Sequence, residues 1–513
     1  MGLGLHLSLE ALDRARFSRD ARFDGKFVIA VLSSHIYCRP ICPVSFANAI
    51  RYYATAAEAE TAGFRPCLRC RPEAMPGSPA WRGASATVSR ALRLIEEGAL
   101  DKGSVTTLAA RLGVGARHLN RLLVRQVGAS PGAIAQTRRL HFAKLLLSDT
   151  AMQITDIALA SGYGSVRRFN DAFKASYKRA PSEIRRRPPP LGGASNRITL
   201  RLSYRPLFDW TETLAFLARE CVPGVERIAG GIYARALAGA NGPVLVEIAA
   251  CPASHALLMH VRGGGAADLS DLATTARRVF DLAADPLQIA SAFRDDALLG
   301  PLVAARPGLR LIGVWSRFEA IVRAILDDDR GGEAFRGLAG RLAERFGARI
   351  ESQETGLTRL FPGAQELARA DLEACGLDRA RSETLRAVAR ALAEGTLHLD
   401  NAAETVMHDL ALIPGFGESR AQWVGLRGYG EPDAFPADAL DPRRFSTTAS
   451  GDAPSPETRP EAWRPWRGYA VFHLLRAATE PAASNIPRLG GPRFFGRRPH
   501  GSEAVEKVGR VAS

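Results

Sequence analysis

Four of the seven cysteines fall within 33 residues, Cys38 and Cys42 in YCRPIC and Cys67 and Cys70 in PCLRC. The C-x3-C and C-x2-C pairs stand 24 residues apart, a pattern that can wrap four thiolates tetrahedrally around one Zn2+. A metal-held sulfur stays deprotonated at neutral pH and remains a nucleophile. Cys221, Cys251 and Cys375 are scattered and read as small buried hydrophobes. The opening MGLGLHLSLEALDRARF meets acidic and Arg residues too early for a secretory core, which predicts a cytoplasmic chain and argues against a disulfide framework.

The text around these cysteines, FVIAVLSSHIYCRPICPVSFANAIRYYATAAEAETAGFRPCLRCRPE, closely resembles the N-terminal domain of Ada-type methylphosphotriester repair proteins. The resemblance implies that Cys38 is both zinc ligand and methyl acceptor, that Cys42, Cys67 and Cys70 hold the metal, and that the protein is consumed rather than turned over. Capping one sulfur removes one negative charge, which weakens repulsion of DNA phosphate. The stretch PVSFANAIRYY lacks the basic residues that the family carries just after the second ligand.

Charge is concentrated in the next segment. Residues 78–190 hold 19 Lys and Arg against 7 Asp and Glu, so +12 of the chain's +15 lies there. A basic segment of this size points to a polyanion, with double-stranded DNA as the leading partner. Within it, VTTLAARLGVGARHLNRLLVRQVGASP (105–131) and ITDIALASGYGSVRRFNDAFKASYKRAP (154–181) share a plan: a short helix, a Gly-containing turn, a second basic helix and a closing Pro. These paired units look like the AraC-type DNA-binding domain. That likeness places Arg117, His118, Asn120 and Arg121 of the first unit in the major groove, with Ser165, Arg167, Arg168 and Asn170 of the second. Arg can bridge guanine edges and Asn adenine edges, while Lys174, Lys178 and Arg179 suit phosphates. Leu108, Leu112, Leu119, Leu122, Ile157, Phe169 and Phe173 are expected in the core. A regulator of this kind also has RNA polymerase as an expected partner.

Further on, ALIPGFGESRAQWVGLRGYG (411–430) reads as a helix, an L-x-P-G-x-G hairpin and a second helix. Gly415 and Gly417 permit the turn and let backbone N–H groups approach a phosphate. With YRPLFDWTETLAFLA, RVFDLAADP, LVAARPGLRLIGVWSRFEAIVRAIL and AWRPWRGYAVFHLLRA, the order resembles the helix-hairpin-helix 3-methyladenine glycosylase II family over about 200–478. The resemblance implies excision of alkylated bases from DNA, with one carboxylate stabilising the sugar cation as the base leaves. The family's F-P-x-x-D-L reads FPADAL, which puts Ala439 at the usual acid position and leaves Asp438, one residue earlier, as the candidate. Other departures are Ser419 where an aromatic is expected and Asp327, Asp328 and Asp329 in a DNA-facing stretch. Trp423 remains as the candidate base-pocket aromatic. The alternative is a methylation-sensing regulator whose glycosylase half does not cut.

To position these groups, 513 residues with 46% hydrophobic and 24% charged content must build several cores. The expected fold is multidomain α+β. It comprises a small zinc domain (1–78), an all-α double helix-turn-helix domain (84–187), an α/β subdomain (197–310), a helical helix-hairpin-helix glycosylase-like domain (311–478) and a disordered tail (479–513). PEAMPGSPAW (72–81) and RRRPPPLGGASN (185–196) read as linkers, and no apolar run is long enough to span a membrane.

Overall fold

The computed structural model describes residues 7–43, 49–70, 72, 75, 86–101, 103–185, 197–326, 332–351, 356–437 and 459–479. Most of both linkers, Asp327, Asp328, Asp329, Asp438, Ala439 and the tail from residue 480 lie outside the described residues. Among the described residues no helix is long and apolar enough to cross a membrane.

The first domain is a four-stranded sheet in the order β3-β1-β2-β4, with β1 Val28–Val31, β2 Ile36–Cys38, β3 Ile50–Tyr53 and β4 Arg65–Pro66. Both faces of the sheet are covered. Alternation along β1 sends Ile29 to one side with Leu12 and Ala15 of α1 (Leu9–Ser18), and Val28 and Ala30 to the other with Ala56 and Ala59 of α2 (Ala56–Thr61). Both clusters are small, so burial alone contributes little to this domain's stability.

Seven helices follow: α3 Ala86–Glu96, α4 Val105–Arg111, α5 Ala116–Val127, α6 Pro131–Asp149, α7 Ile154–Ala160, α8 Val166–Tyr177 and α9 Pro181–Ile184. Local chemistry sets their ends. Ser104 caps α4 through the Thr107 N–H, and Ser130 caps α6 with Pro131 in the first turn. The repeated closing prolines, Pro131 and Pro181, thus begin α6 and α9.

A five-stranded antiparallel sheet then forms in the order β5-β9-β8-β7-β6, from β5 Arg197–Ser203, β6 Glu226–Ala229, β7 Ile232–Gly239, β8 Gly242–Cys251 and β9 Ala256–Gly263. Helices α10 Trp210–Arg219, α11 Asp268–Val279, α12 Pro286–Phe293 and α13 Leu299–Ala305 accompany it. The rest is helical: α14 Arg317–Leu326, α15 Glu333–Phe346, α16 Ala364–Leu367, α17 Arg379–Ala393, α18 Ala403–Ala411, α19 Gly417–Val424, a π-helical turn Gly425–Tyr429, α20 Arg459–Ala462 and α21 Arg467–Thr479.

Core boundaries cut across the sequence segments. The first helix-turn-helix unit has its own core around Leu94, Leu108, Leu119 and Leu123. The second shares one continuous core with the sheet, where Phe169, Phe173 and Tyr177 join Leu200, Val246 and Met259. A third core, around Ile321, Leu342, Leu385 and Val406, belongs to the glycosylase-like helices.

Candidate metal centre and DNA-binding sites

Strand β2 ends at Cys38, and β4, running parallel beside it, delivers Cys67, whose N–H donates to the Tyr37 carbonyl at 2.9 Å. A tight turn, with Cys42 N–H donating to Arg39 O at 3.1 Å, brings the second ligand back over the first. The four Sγ atoms all lie within 4.8 Å of one another, and all four residues are buried. A tetrahedral zinc–thiolate site with bonds of about 2.3 Å has sulfur–sulfur edges of about 3.8 Å, which this cluster can meet with little movement. The donor set fits, and the domain binds one Zn2+ through Cys38, Cys42, Cys67 and Cys70. Hydrogen bonding from Cys42 and the other two thiols pushes the Cys38 thiol up, whereas the same sharing pulls Cys67 down. Four sulfurs this close cannot all lose their protons unless a cation offsets the charge.

Arg39 and Asp24 were not singled out from sequence, yet they brace the site. The Arg39 N–H donates to Cys70 Sγ at 3.3 Å, its Nη1 to Cys70 O at 3.1 Å, and its guanidinium pairs with the buried Asp24 carboxylate. An Arg between two ligand cysteines was the available signal. The other side of the domain meets α6: Tyr37 Oη donates to Glu60 at 2.8 Å and lies 2.8 Å from His141 Nε2, and Thr137 donates to Glu60 at 2.6 Å. Burial would raise the Glu60 carboxyl, but hydrogen bonding and charge from His141 outweigh it and hold it below the usual range.

Each recognition helix presents a polar face. Arg117, His118, Asn120 and Arg121 on α5 are exposed, as are Arg167, Arg168 and Asn170 on α8. Their 3.6-residue spacing leaves Leu119, Phe169 and Phe173 fully buried behind them. His118 and Arg121 touch each other, Nδ1 to Nη2 at 3.0 Å. Ser165 precedes α8 and its Oγ accepts from the Arg168 N–H, so the hydroxyl caps the helix that carries the other candidates; a cap satisfies N–H groups left open by the first turn. Leu112 and Leu122 are half-buried at the edge of the first core, because one ends α4 and the other lies off the buried face of α5. Lys174, Lys178 and Arg179 are exposed.

The hairpin joins α18 to α19, with Gly415 at φ 81° and Gly417 at φ 79°. The two glycines differ in surroundings. A Cβ on Gly415 would come within 2.3 Å of Thr384 Oγ1, whereas one on Gly417 would meet open space. Gly415→Ala is therefore expected to destabilise the helical domain by about 2 kcal/mol, and Gly417→Ala by less, in urea unfolding. Equal effects would mean that left-handed backbone strain alone matters. Trp423, in the last turn of α19, is half-buried against the large core. A cavity of about 590 Å³ lies between α4 and the glycosylase-like helices, lined by Arg111, Phe318, Leu397, His398 and Asp400. It belongs to that junction and does not include Trp423.

The segment Gly430–Ala437 runs from the π-helical turn toward Asp438. Arg467 donates to Asp433 Oδ1 at 2.8 Å and to Asp433 O at 2.9 Å. Gly468 N–H donates to Pro432 O at 2.7 Å, and Phe435 N–H to Gln422 Oε1 at 3.0 Å. Behind the turn lies a buried charge cluster. Glu226 and Glu319 accept from Arg235 (2.7 and 3.1 Å) and Arg323 (2.8 and 2.7 Å), while Glu220 holds Arg427 at 2.6 Å. None of these had a local sequence signal.

Comparison with known proteins finds three families along the chain. The metal-binding domain of Ada matches residues 11–73, a helix-turn-helix domain matches 108–187, and the AlkA N-terminal domain matches 199–316. A probable bifunctional transcriptional activator/DNA repair enzyme AlkA of Mycobacterium tuberculosis is 36% identical over 490 residues, covering 93% of this chain and 98% of that protein. DNA-3-methyladenine glycosylase 2 of Escherichia coli is 35% identical over 280 residues, 53% of this chain and 95% of its own. The bifunctional transcriptional activator/DNA repair enzyme Ada of Escherichia coli is 36% identical over 124 residues, 24% of this chain and 34% of its own.

Proposed function

Because the chain belongs to the AlkA family of bifunctional transcriptional activators and DNA repair enzymes, we propose that it repairs alkylated DNA by two chemistries and reports the first of them to transcription. In the zinc domain, Cys38 Sγ attacks the methyl carbon of a DNA methylphosphotriester. The S–C bond forms, the C–O bond breaks, and the electron pair stays on the phosphate oxygen as the diester is restored. Bound Zn2+ keeps the thiolate deprotonated. The site then carries one negative charge less and binds the DNA backbone more tightly. The helix-turn-helix module binds double-stranded DNA, with Arg117, His118, Asn120, Arg121, Ser165, Arg167, Arg168 and Asn170 as base-reading candidates, and as an activator it would act on RNA polymerase.

In the glycosylase half, the hairpin around Gly415 and Gly417 grips a phosphate, Trp423 faces the flipped base, and the Asp438 carboxylate stabilises the sugar cation. The N-glycosidic bond breaks with its electron pair leaving on the alkylated base, which departs neutral because it was cationic. Water then adds at the sugar carbon. The observation carrying this reading is the buried four-sulfur cluster on one chain with paired recognition helices and an AlkA-type sheet domain.

Two measurements test it together. After exposure to methylated duplex, peptide mass spectrometry should find one added methyl on Cys38. Base release from the same DNA should fall about 10²–10³-fold in Asp438→Asn. Undiminished release in that variant removes Asp438 from the mechanism; an unmodified Cys38 ends the methyl-acceptor reading; wild-type protein that releases no base is a regulator whose glycosylase half does not cut.

A further inference from the structure

Three of the contacts that fix segment Gly430–Ala437 come from the helical domain itself, through Arg467, Gly468 and Gln422. A fourth comes from another domain. Arg93 of α3 clasps the Glu431 carboxylate with both terminal nitrogens, Nη1 on Oε1 and Nη2 on Oε2 at 3.3 Å, across 338 residues of sequence. The pair is largely buried, with Arg93 23% and Glu431 16% exposed. Just past α3, Glu97 accepts from Arg317 Nη2 at 2.6 Å, and the Arg317 guanidinium lies 4.6 Å above the Tyr429 ring. The helix-turn-helix module therefore grips both sides of Gly430, where the backbone turns at φ 68° out of the π-helical turn. Arg93 and Glu97 lie on and just after α3, on neither recognition helix.

We propose that Arg93 is a positioning residue for base release, holding from the helix-turn-helix domain the segment that leads into the candidate acid. The proposal rests on the reading of Asp438 as the catalytic carboxylate. A two-pronged Arg–carboxylate contact fixes orientation as well as distance, which a single point charge does not. Removing it leaves the segment held by contacts from within the helical domain, among them Gln422, Arg464, Arg467 and Gly468. Catalysis is steeply sensitive to such loosening, since a displacement of about 1 Å can cost about 10²-fold in rate.

The test is single-turnover base release from alkylated duplex, with full-length protein in excess and DNA saturated. Arg93→Gln should slow release about tenfold with the apparent Kd for duplex changed by less than about twofold, a loss in the chemical step rather than in binding. Arg93→Lys should fall between, because the charge remains but the fork is lost. The exchange Arg93→Glu with Glu431→Arg should regain most of the rate, which a merely destabilised single variant would not. Arg90→Gln, which breaks only the more exposed pair with Glu404, should release base at the wild-type rate. If Arg93→Gln matches wild type, or the exchange fails to recover, the positioning role falls while the glycosylase reading stands. Wild-type protein that releases no base overturns both.

Discussion

Removal of zinc by a chelator should unfold the N-terminal domain while the helix-turn-helix and glycosylase cores survive. Its two apolar clusters are small, one built on Leu12, Ala15, Phe27 and Ile29 and the other on residues such as Val28, Ala30 and Tyr37. The four cysteines form a cluster of their own between the ends of β2 and β4. Metal binding to a structural thiolate site contributes roughly 10–16 kcal/mol in small zinc domains, far more than clusters of this size supply. Cys42→Ala, which removes a ligand without touching the acceptor, should behave like the stripped protein: no bound zinc, no methyl taken up at Cys38, and rapid proteolysis within residues 9–70. The readouts are zinc content, limited proteolysis and circular dichroism. A zinc-free domain that resists protease as well as the loaded one would show that the sheet stands without its metal. Since Tyr37 and Glu60 meet His141 and Thr137 of α6, protection of α6 from hydrogen exchange should also weaken.

Glu319→Ala should cost about 3–5 kcal/mol in unfolding of the sheet and helical domains. Its carboxylate is 1% exposed and bonds two buried guanidinium groups, Arg235 on β7 and Arg323 on α14. Deleting it strands positive charge where water cannot reach, and that penalty exceeds what the intact cluster contributes. The cluster joins sheet to helices, so the variant should also separate the two unfolding transitions. Glu383→Ala is the control: its pair with Arg379 is solvent-exposed and its loss should leave the midpoint where it was. Equal midpoints for Glu319→Ala and wild type would mean that the cluster is paid for entirely by desolvation. The same cluster sets an acid limit. Burial would raise the Glu226 carboxyl, but the charges of Arg323 and Arg235 outweigh it and bring it down to about 2. Its stabilisation is complete above the ordinary glutamate range and fades as pH falls toward that value.

What the sequence by itself determined is whatever depends on short separations. Ligand spacing identified the zinc cysteines, because two close pairs already define most of a tetrahedral site. A 3.6-residue period separated exposed Arg167, Arg168 and Asn170 from buried Phe169 and Phe173, since a helix face is written within a few turns. The Gly415 and Gly417 turn was visible because only glycine accepts that backbone cheaply. Tertiary structure alone decided the rest. It left Leu112 and Leu122 at a core edge and ran one core through the second helix-turn-helix unit and the five-stranded sheet. It also brought Arg93 to Glu431 and Arg235 to Glu319. A charged residue carries no mark of its partner when that partner lies tens or hundreds of positions away; only the packing of helices and sheets, driven by apolar burial, chooses which charges meet.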